Sequence, residues 1–282
     1  MSIKQKALNL AGGLLKTSIN FVGGRRATQI LAQLSEDLTP VVSQKTNFGE
    51  IQFFCPGKLP EYRAQTLLTK EPETIEWIDT FKKDDVLWDI GANVGVYSLY
   101  AAIKKLRVLA FEPSPSNYFV LSRNIEINRM DDRISAYCIA FNDGTKLDMF
   151  FMENTELGGA LNSFGEAIDF QGKPFVASLK QAMIGFSVDD FIKQFNPPFP
   201  NHIKIDVDGI EDKIVNGSKE TLADSRLKSV LVELDTERKE YCKKVTEVFE
   251  ISGMKLLKKE HAPMFDNGKY SKIYNHIFVR SK

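Results

Sequence analysis

The sequence predicts an α/β protein built on a doubly wound, Rossmann-like parallel sheet. Three stretches carry that expectation. Val86 to Gly95 (Val-Leu-Trp-Asp-Ile-Gly-Ala-Asn-Val-Gly) reads as a strand, a tight glycine turn and a helix start. Leu106 to Phe111 reads as a second strand and ends in Glu112-Pro113, and Ile203 to Val207 reads as a later core strand with a helix opening at Gly209. Short apolar runs alternating with segments of helical period are the pattern of βαβ units.

In chain order, residues 1–35 contain Lys4, Lys6, Lys16, Arg25 and Arg26 and no acidic residue. Ile3, Ala7, Leu10 and Leu14 recur at helical spacing, interrupted by Gly12-Gly13 and Gly23-Gly24. A membrane-surface helix or a targeting peptide would look like this. A pair of short helices capping the domain or a neighbouring subunit also would, and is the reading taken. The two Gly-Gly pairs leave no unbroken apolar core for a signal peptide. Val41 to Phe54 reads as a β-hairpin turning through Asn47-Phe48-Gly49, and Glu73 to Phe81 as a helix. The expected division is an N-terminal extension over residues 1–81 and a main domain over 82–282 with a β-insertion at about 145–186.

At the glycine turn, Asp89, Gly91, Ala92, Asn93 and Gly95 are placed to hold a ligand at a helix N-terminus. Gly91 and Gly95 can take backbone angles that other residues avoid. Glu112, roughly 20 residues on at the tip of the second strand, is placed to accept hydrogen bonds from both ribose hydroxyls of a nucleoside, with Pro113 turning the chain away. The spacing is not Gly-x-Gly-x-x-Gly. An acid before the first glycine suits a cationic or zwitterionic nucleoside, and S-adenosylmethionine carries both an ammonium and a sulfonium. The cofactor expected is therefore this methyl donor rather than NAD.

The composition narrows the setting. The chain has 282 residues, 43% of them hydrophobic, with 37 Lys+Arg against 37 Asp+Glu. A balanced charge disfavours a nucleic-acid substrate, whose binders usually carry a basic excess. Cys55, Cys138 and Cys242 form neither a zinc pattern nor a disulfide framework, which fits a reducing, cytoplasmic setting. No apolar run approaches the length of a spanning helix. The expected partner is a small-molecule or glycan substrate, and a homo-oligomer is compatible with the sequence.

Beyond the second strand, Ser116 to Met130 reads as a helix and Ile134 to Ala140 as the third strand. Ala140, Asn142 and Asp143 follow where an adenine would lie, although Asn142-Asp143-Gly144 is also what any tight turn carries; Asn142 is kept as a cofactor-binding candidate. In the insertion, Lys146 to Met152 and Phe175 to Phe186 read as strands around Glu156 to Ser163, a natural place for a substrate-recognition flap. Asn196-Pro197-Pro198-Phe199 matches the short signature of enzymes that methylate amide or base nitrogens. It precedes its strand rather than following it, so it is read as a helix-terminating linker.

His202-Ile-Lys-Ile-Asp-Val-Asp-Gly-Ile-Glu211 is the second chemical stretch. Lys204 and Asp206 alternate with apolar residues and share a face. Charged groups inside a doubly covered sheet are costly unless paired. If this strand lies between the first and the fifth (Ser229 to Leu234), then Asp89, Lys204, Asp206 and Glu233 meet near the carboxyl edge. The bland alternative is a buried ion-pair network. His202 would sit about 13 Å further down the strand, on the wrong edge for a general base. Asp206 is therefore chosen to accept a proton, with Lys204 tuning it and Glu233 helping to orient a hydroxyl. Asp206 and Asp208 could hold Mg²⁺, but Lys204 opposes a metal and none is assigned. Glu237 to Ser252 reads as a last helix, and Met254 to Lys259 and Ile273 to Arg280 as closing strands.

With these segments quoted, the chain resembles the FkbM-type family of S-adenosylmethionine-dependent methyltransferases, from about Val86 to Leu234. The motifs are Asp89-Ile-Gly-Ala-Asn-Val-Gly95, Phe111-Glu-Pro113, Ser187-Val-Asp-Asp190 and Lys204-Ile-Asp-Val-Asp-Gly-Ile-Glu211. The resemblance implies a class I methyltransferase sheet of seven strands, the last antiparallel. It also implies O-methylation of a hydroxyl, often on sugars or polyketide-like molecules. The family usually has Glu where this chain has Asp208. The competing readings are an N-methyltransferase using Asn196, a non-catalytic cofactor-binding subunit and a nicotinamide-dependent enzyme.

Overall fold

The computed structural model describes residues 24–280 together with Leu10, Gly12, Gly13 and Thr17. The chain forms two compact units, residues 1–40 and 41–282. In the first, α1 spans Gly24–Asp37. Most of the basic N-terminal segment lies outside the described residues, and so does its reading as cap, surface helix or targeting peptide. No helix among the described residues is long and apolar enough to cross a membrane.

The second unit opens with the hairpin β1 (Val41–Thr46) and β2 (Gly49–Phe54). Ile51 and Phe53 point into the core, and the outer edge of β2 is capped by amides: Phe54 N donates to Asn124 Oδ1 at 2.7 Å and Gln52 N to Asn128 Oδ1 at 2.9 Å. An edge strand satisfied in this way belongs to the body it docks on. Residues 41–81, expected as part of the N-terminal extension, lie in the second unit. Helices α2 (Lys58–Gln65) and α3 (Pro72–Asp79) follow.

The central sheet comprises β3 (Val86–Ile90), β4 (Arg107–Phe111), β5 (Ile134–Tyr137), and the later β10 to β13. Helix α4 (Val96–Ile103) joins β3 to β4, and α5 (Pro115–Ile127) joins β4 to β5. The predicted third strand breaks after Tyr137, and β6 (Ala140–Phe141) enters a second sheet with β7 (Lys146–Met152), β8 (Asn162–Phe164) and β9 (Leu179–Phe186), in the order β6-β9-β7-β8. After α6 (Val188–Phe195) come β10 (His202–Ile205), β11 (Ser229–Asp235), α9 (Lys239–Ile251), β12 (Met254–Glu260) and β13 (Ile273–Arg280), with α7 (Glu211–Asn216) and α8 (Lys219–Ala223) between β10 and β11. The single helix expected from Gly209 to Ala223 is divided at Gly217, where a Cβ would lie 2.4 Å from the Asn142 carbonyl oxygen.

The seven strands run β12-β13-β11-β10-β3-β4-β5, with β13 antiparallel to β11. This is the doubly wound arrangement expected, with β10 between β3 and β11. One face carries Trp88, Ile90, Ile203, Ile205, Val230 and Val232 against α6 to α9. The opposite face carries Leu87 and Leu231 among the apolar residues packed with α3, α4 and the hairpin. Strand alternation puts Asp89, Lys204 and Glu233 on that second face too.

Candidate active site

The chemistry gathers at the carboxyl ends of β3, β4, β10 and β11. Two joined cavities lie there, of about 230 Å³ and about 60 Å³. Gly91, Asn93, Ala160, Asp206 and Asp208 line both.

The glycine turn builds the joint. Gly91 has φ +87°, and a Cβ there would fall 1.9 Å from the Asp206 carbonyl oxygen, so only glycine lets the ends of β3 and β10 approach this closely. The backbone N–H groups of Gly91 and Ala92 both donate to the Phe111 oxygen, at 2.9 and 3.0 Å. Asn93 N donates to Glu112 Oε2 at 2.8 Å. These donors are already taken within the protein, so the turn supplies shape and a fixed carboxylate rather than open N–H groups. Glu112 lines the smaller cavity and also accepts from Ser114 N at 2.8 Å. Burial pushes its carboxyl up to about 7 against the pull of those backbone donors. Pro113, Ile139 and Phe141 supply flat apolar wall beside it.

The larger cavity holds paired charges. Lys204 Nζ donates to Asp206 Oδ2 at 2.5 Å, and Lys70 Nζ to Glu71 Oε1 at 2.6 Å. Glu71, Asp206 and Glu233 can bring carboxylate oxygens within 4.8 Å of one another. Burial alone would strip the charge from Lys204, but Asp206, Glu71 and Asp89 around it raise its pKa and keep it protonated. Burial would likewise raise Glu71, yet Lys70 and Lys204 hold it below the usual carboxylate range. Glu233 goes the other way: burial and the negative charges of Asp206 and Glu71 push it well above that range. Asp208, at φ +64°, accepts from Leu161 N at 2.6 Å, and burial with the Asp206 charge raises it to about 6.

Lys204, Asp206 and Glu233 therefore stand together in one cavity, and Gly91, Ala92, Asn93, Glu112 and Pro113 line one or both. Three candidates do not. Asp89 lies beneath the site, 1% exposed, where its Oδ2 accepts from Ser98 Oγ at 2.6 Å. Gly95 lines neither cavity; its missing Cβ makes room for Leu121, whose Cδ1 would be 2.4 Å away. Asn142 is fully buried, its amide donating to the Phe164 oxygen and its Oδ1 accepting from Asp143 N, so its polar atoms are engaged within the turn. The sequence reading missed Glu71, Lys70, Arg63, Tyr97 and Asn275. They come from α2, the loop leading into α3, α4 and β13, and only Tyr97 lies near a motif.

The two decoys fall at the opposite edge. His202 stacks on Phe81 with ring centroids 3.5 Å apart and sits between Ser229 Oγ, at 2.7 Å, and Asp85 Oδ2, at 3.2 Å. Asn196 caps α6 at φ 43°, and the Pro198 oxygen accepts from Trp88 Nε1 at 3.0 Å.

Known proteins place the chain. Residues 89–256 match the methyltransferase FkbM domain. A hexuronic acid methyltransferase, AglP, of Haloferax volcanii is 26% identical over 178 residues, covering 60% of this chain and 65% of the relative. A tRNA (guanine(37)-N(1))-methyltransferase of Dictyostelium discoideum is 38% identical over 63 residues, which are 22% of this chain and 14% of that one. The chain thus spans less than two thirds of the relatives it matches. The crystal structure of a methyltransferase FkbM from Methylobacillus flagellatus KT aligns with a TM-score of 0.48 and 14% identity over 78% of this chain and 52% of that one. FkbM-type methyltransferases take their methyl group from S-adenosylmethionine. The residues present fit it: Gly91 holds the ends of β3 and β10 together at the joint, Glu112 keeps lone pairs for ribose hydroxyls, and the buried Asn93 Oδ1 at the joint has no partner among the described residues. On the match over residues 89–256, the chain belongs to the FkbM family of methyltransferases.

Proposed function

We propose that the protein transfers a methyl group from S-adenosylmethionine to a hydroxyl of a sugar, glycan or small metabolite. The observation that carries this reading is the Lys204–Asp206 pair, 2.5 Å apart in the larger cavity, with Asp206 also lining the smaller one. S-adenosylmethionine, when bound, supplies a methyl already activated on sulfonium, so positioning the acceptor can deliver much of the rate. Lys204 occupies Asp206 Oδ2 and leaves Oδ1 to accept the proton of the acceptor hydroxyl, whose oxygen would then take the methyl group of the bound donor. Glu233, pushed towards its protonated form by burial and the negative charges of Asp206 and Glu71, is placed to orient the acceptor. Glu112 holds the ribose. The similarity to a hexuronic acid methyltransferase favours a sugar-like acceptor. For nitrogen methylation the Asn196 motif would have to meet the methyl donor, and neither cavity includes Asn196. Incubation with labelled methyl donor and a lysate of the source organism tests the reading. Label on a glycan or hydroxylated metabolite is expected, and label confined to nucleic acid, or none on any pool, refutes it.

A further inference from the structure

The larger cavity is lined by three basic side chains, Arg63, Lys70 and Lys204. Two are spent on carboxylates: Lys204 on Asp206 and Lys70 on Glu71. Arg63, half-buried on α2, makes no ion pair among the described residues. Its Nε donates to the Gly158 oxygen at 2.8 Å, which fixes the guanidinium and leaves its two terminal nitrogens for another group. Its charge is felt at both Glu112 and Asp208, the acids that flank the joint between the cavities. The cavity's charged carboxylates, Glu71 and Asp206, repel an anion from their side, which leaves the Arg63 wall as the place for one.

We propose that Arg63 binds the carboxylate at the amino-acid end of the methyl donor, an assignment that rests on the donor reading above. A guanidinium fork matches a carboxylate with two parallel hydrogen bonds. The fork is preorganised by the segment Gly158–Leu161, which is strapped across the joint: Gly158 N donates to Asn117 Oδ1 at 2.8 Å, the Gly159 oxygen accepts from Asn93 Nδ2 at 2.8 Å and Asn117 Nδ2 at 3.0 Å, and Leu161 N donates to Asp208. A side chain already held loses less freedom on binding. Gly158 itself lies against Pro60 at the start of α2, where a Cβ would come within 3.0 Å, so the strap and the helix that bears Arg63 are in register.

An anionic group on the acceptor is the other source of the same chemistry, and calorimetry separates the two. S-adenosylhomocysteine carries the amino-acid end, whereas 5′-methylthioadenosine has the nucleoside without it. With Arg63→Ala the affinity for S-adenosylhomocysteine is expected to fall about 10- to 100-fold, while that for methylthioadenosine stays within about twofold of wild type. If Arg63→Ala does not fold, Arg63→Gln, which can still donate to Gly158, replaces it with the same expectation. Equal losses for both ligands would assign Arg63 to the strap alone and overturn the proposal. Unchanged S-adenosylhomocysteine binding with a raised KM for the acceptor would overturn it in favour of the acceptor's anion. Wild-type protein that binds neither ligand would refute the donor reading itself, a result distinct from either of these.

Discussion

Replacing Gly91 by alanine perturbs the one point where both cavities and two strands meet. Gly91 and Gly95 have nearly equal backbone angles, φ +87° and +86°, so the strain of placing a side chain at positive φ, about 1–2 kcal/mol, is common to both. What differs is the obstacle. At Gly95 the new Cβ would meet the end of the Leu121 side chain at 2.4 Å, which is free of the ligand cavities. At Gly91 it would meet the Asp206 backbone oxygen at 1.9 Å, and relief to about 3.0 Å needs roughly 1 Å of movement at the turn that carries Asp206. A displacement of that size at a reacting group can cost about 100-fold in rate. Gly91→Ala is therefore expected to lower kcat about 100-fold and to weaken S-adenosylhomocysteine binding at least about tenfold. Gly95→Ala is expected to lower the melting temperature while leaving that affinity within about threefold. Calorimetry and a labelled-methyl assay on the two variants make the comparison. Equal binding and turnover in Gly91→Ala and wild type would refute the claim that this turn sets the donor site.

Other outcomes follow from the same geometry. Asp206→Asn removes the proton acceptor but keeps a partner for Lys204, so kcat is expected to drop about 10²- to 10⁴-fold with S-adenosylhomocysteine binding retained; a loss of binding alone would contradict the assignment. Glu112 carries its proton up to about pH 7, and ribose hydroxyls favour its ionised form. Donor affinity should therefore rise as pH increases through 7, by up to about tenfold per unit below it, and Glu112→Gln should be weak and flat across that range in a binding titration. Burial depresses His202 to about 4 from 6.5, so the unfolded chain takes up a proton that the folded chain refuses. The neutral-His202 contribution is full above pH 6.5 and is lost as pH falls towards 4, by up to about 3 kcal/mol. The difference in unfolding free energy between wild type and His202→Gln, measured by urea titration, should vary over that window and be constant above it.

The sequence by itself determined the strands and the line of motifs at their carboxyl ends, because both follow from local patterns, while the order of the strands came only with the resemblance to the methyltransferase family. Apolar alternation places Asp89, Lys204 and Glu233 on one strand face, and glycine next to a strand end announces a turn whatever surrounds it. Depth and partnership were decided only by the tertiary structure. Asp89 and Asp206 both look like site acids in the sequence, but the first is sealed under the sheet against Ser98 while the second opens to both cavities. Gly95 and Gly91 share a turn, yet one makes way for Leu121 and the other for the Asp206 carbonyl. Arg63 on α2 and Lys70 and Glu71 in the loop leading into α3 carry no motif of their own, lie more than 130 residues before Lys204, and join the site because α2 and α3 fold back over the ends of β10 and β11. Whether a charge is catalytic, structural or paired depends on which oxygen and which ammonium end up within 3 Å of each other, and spacing along the chain does not encode that distance.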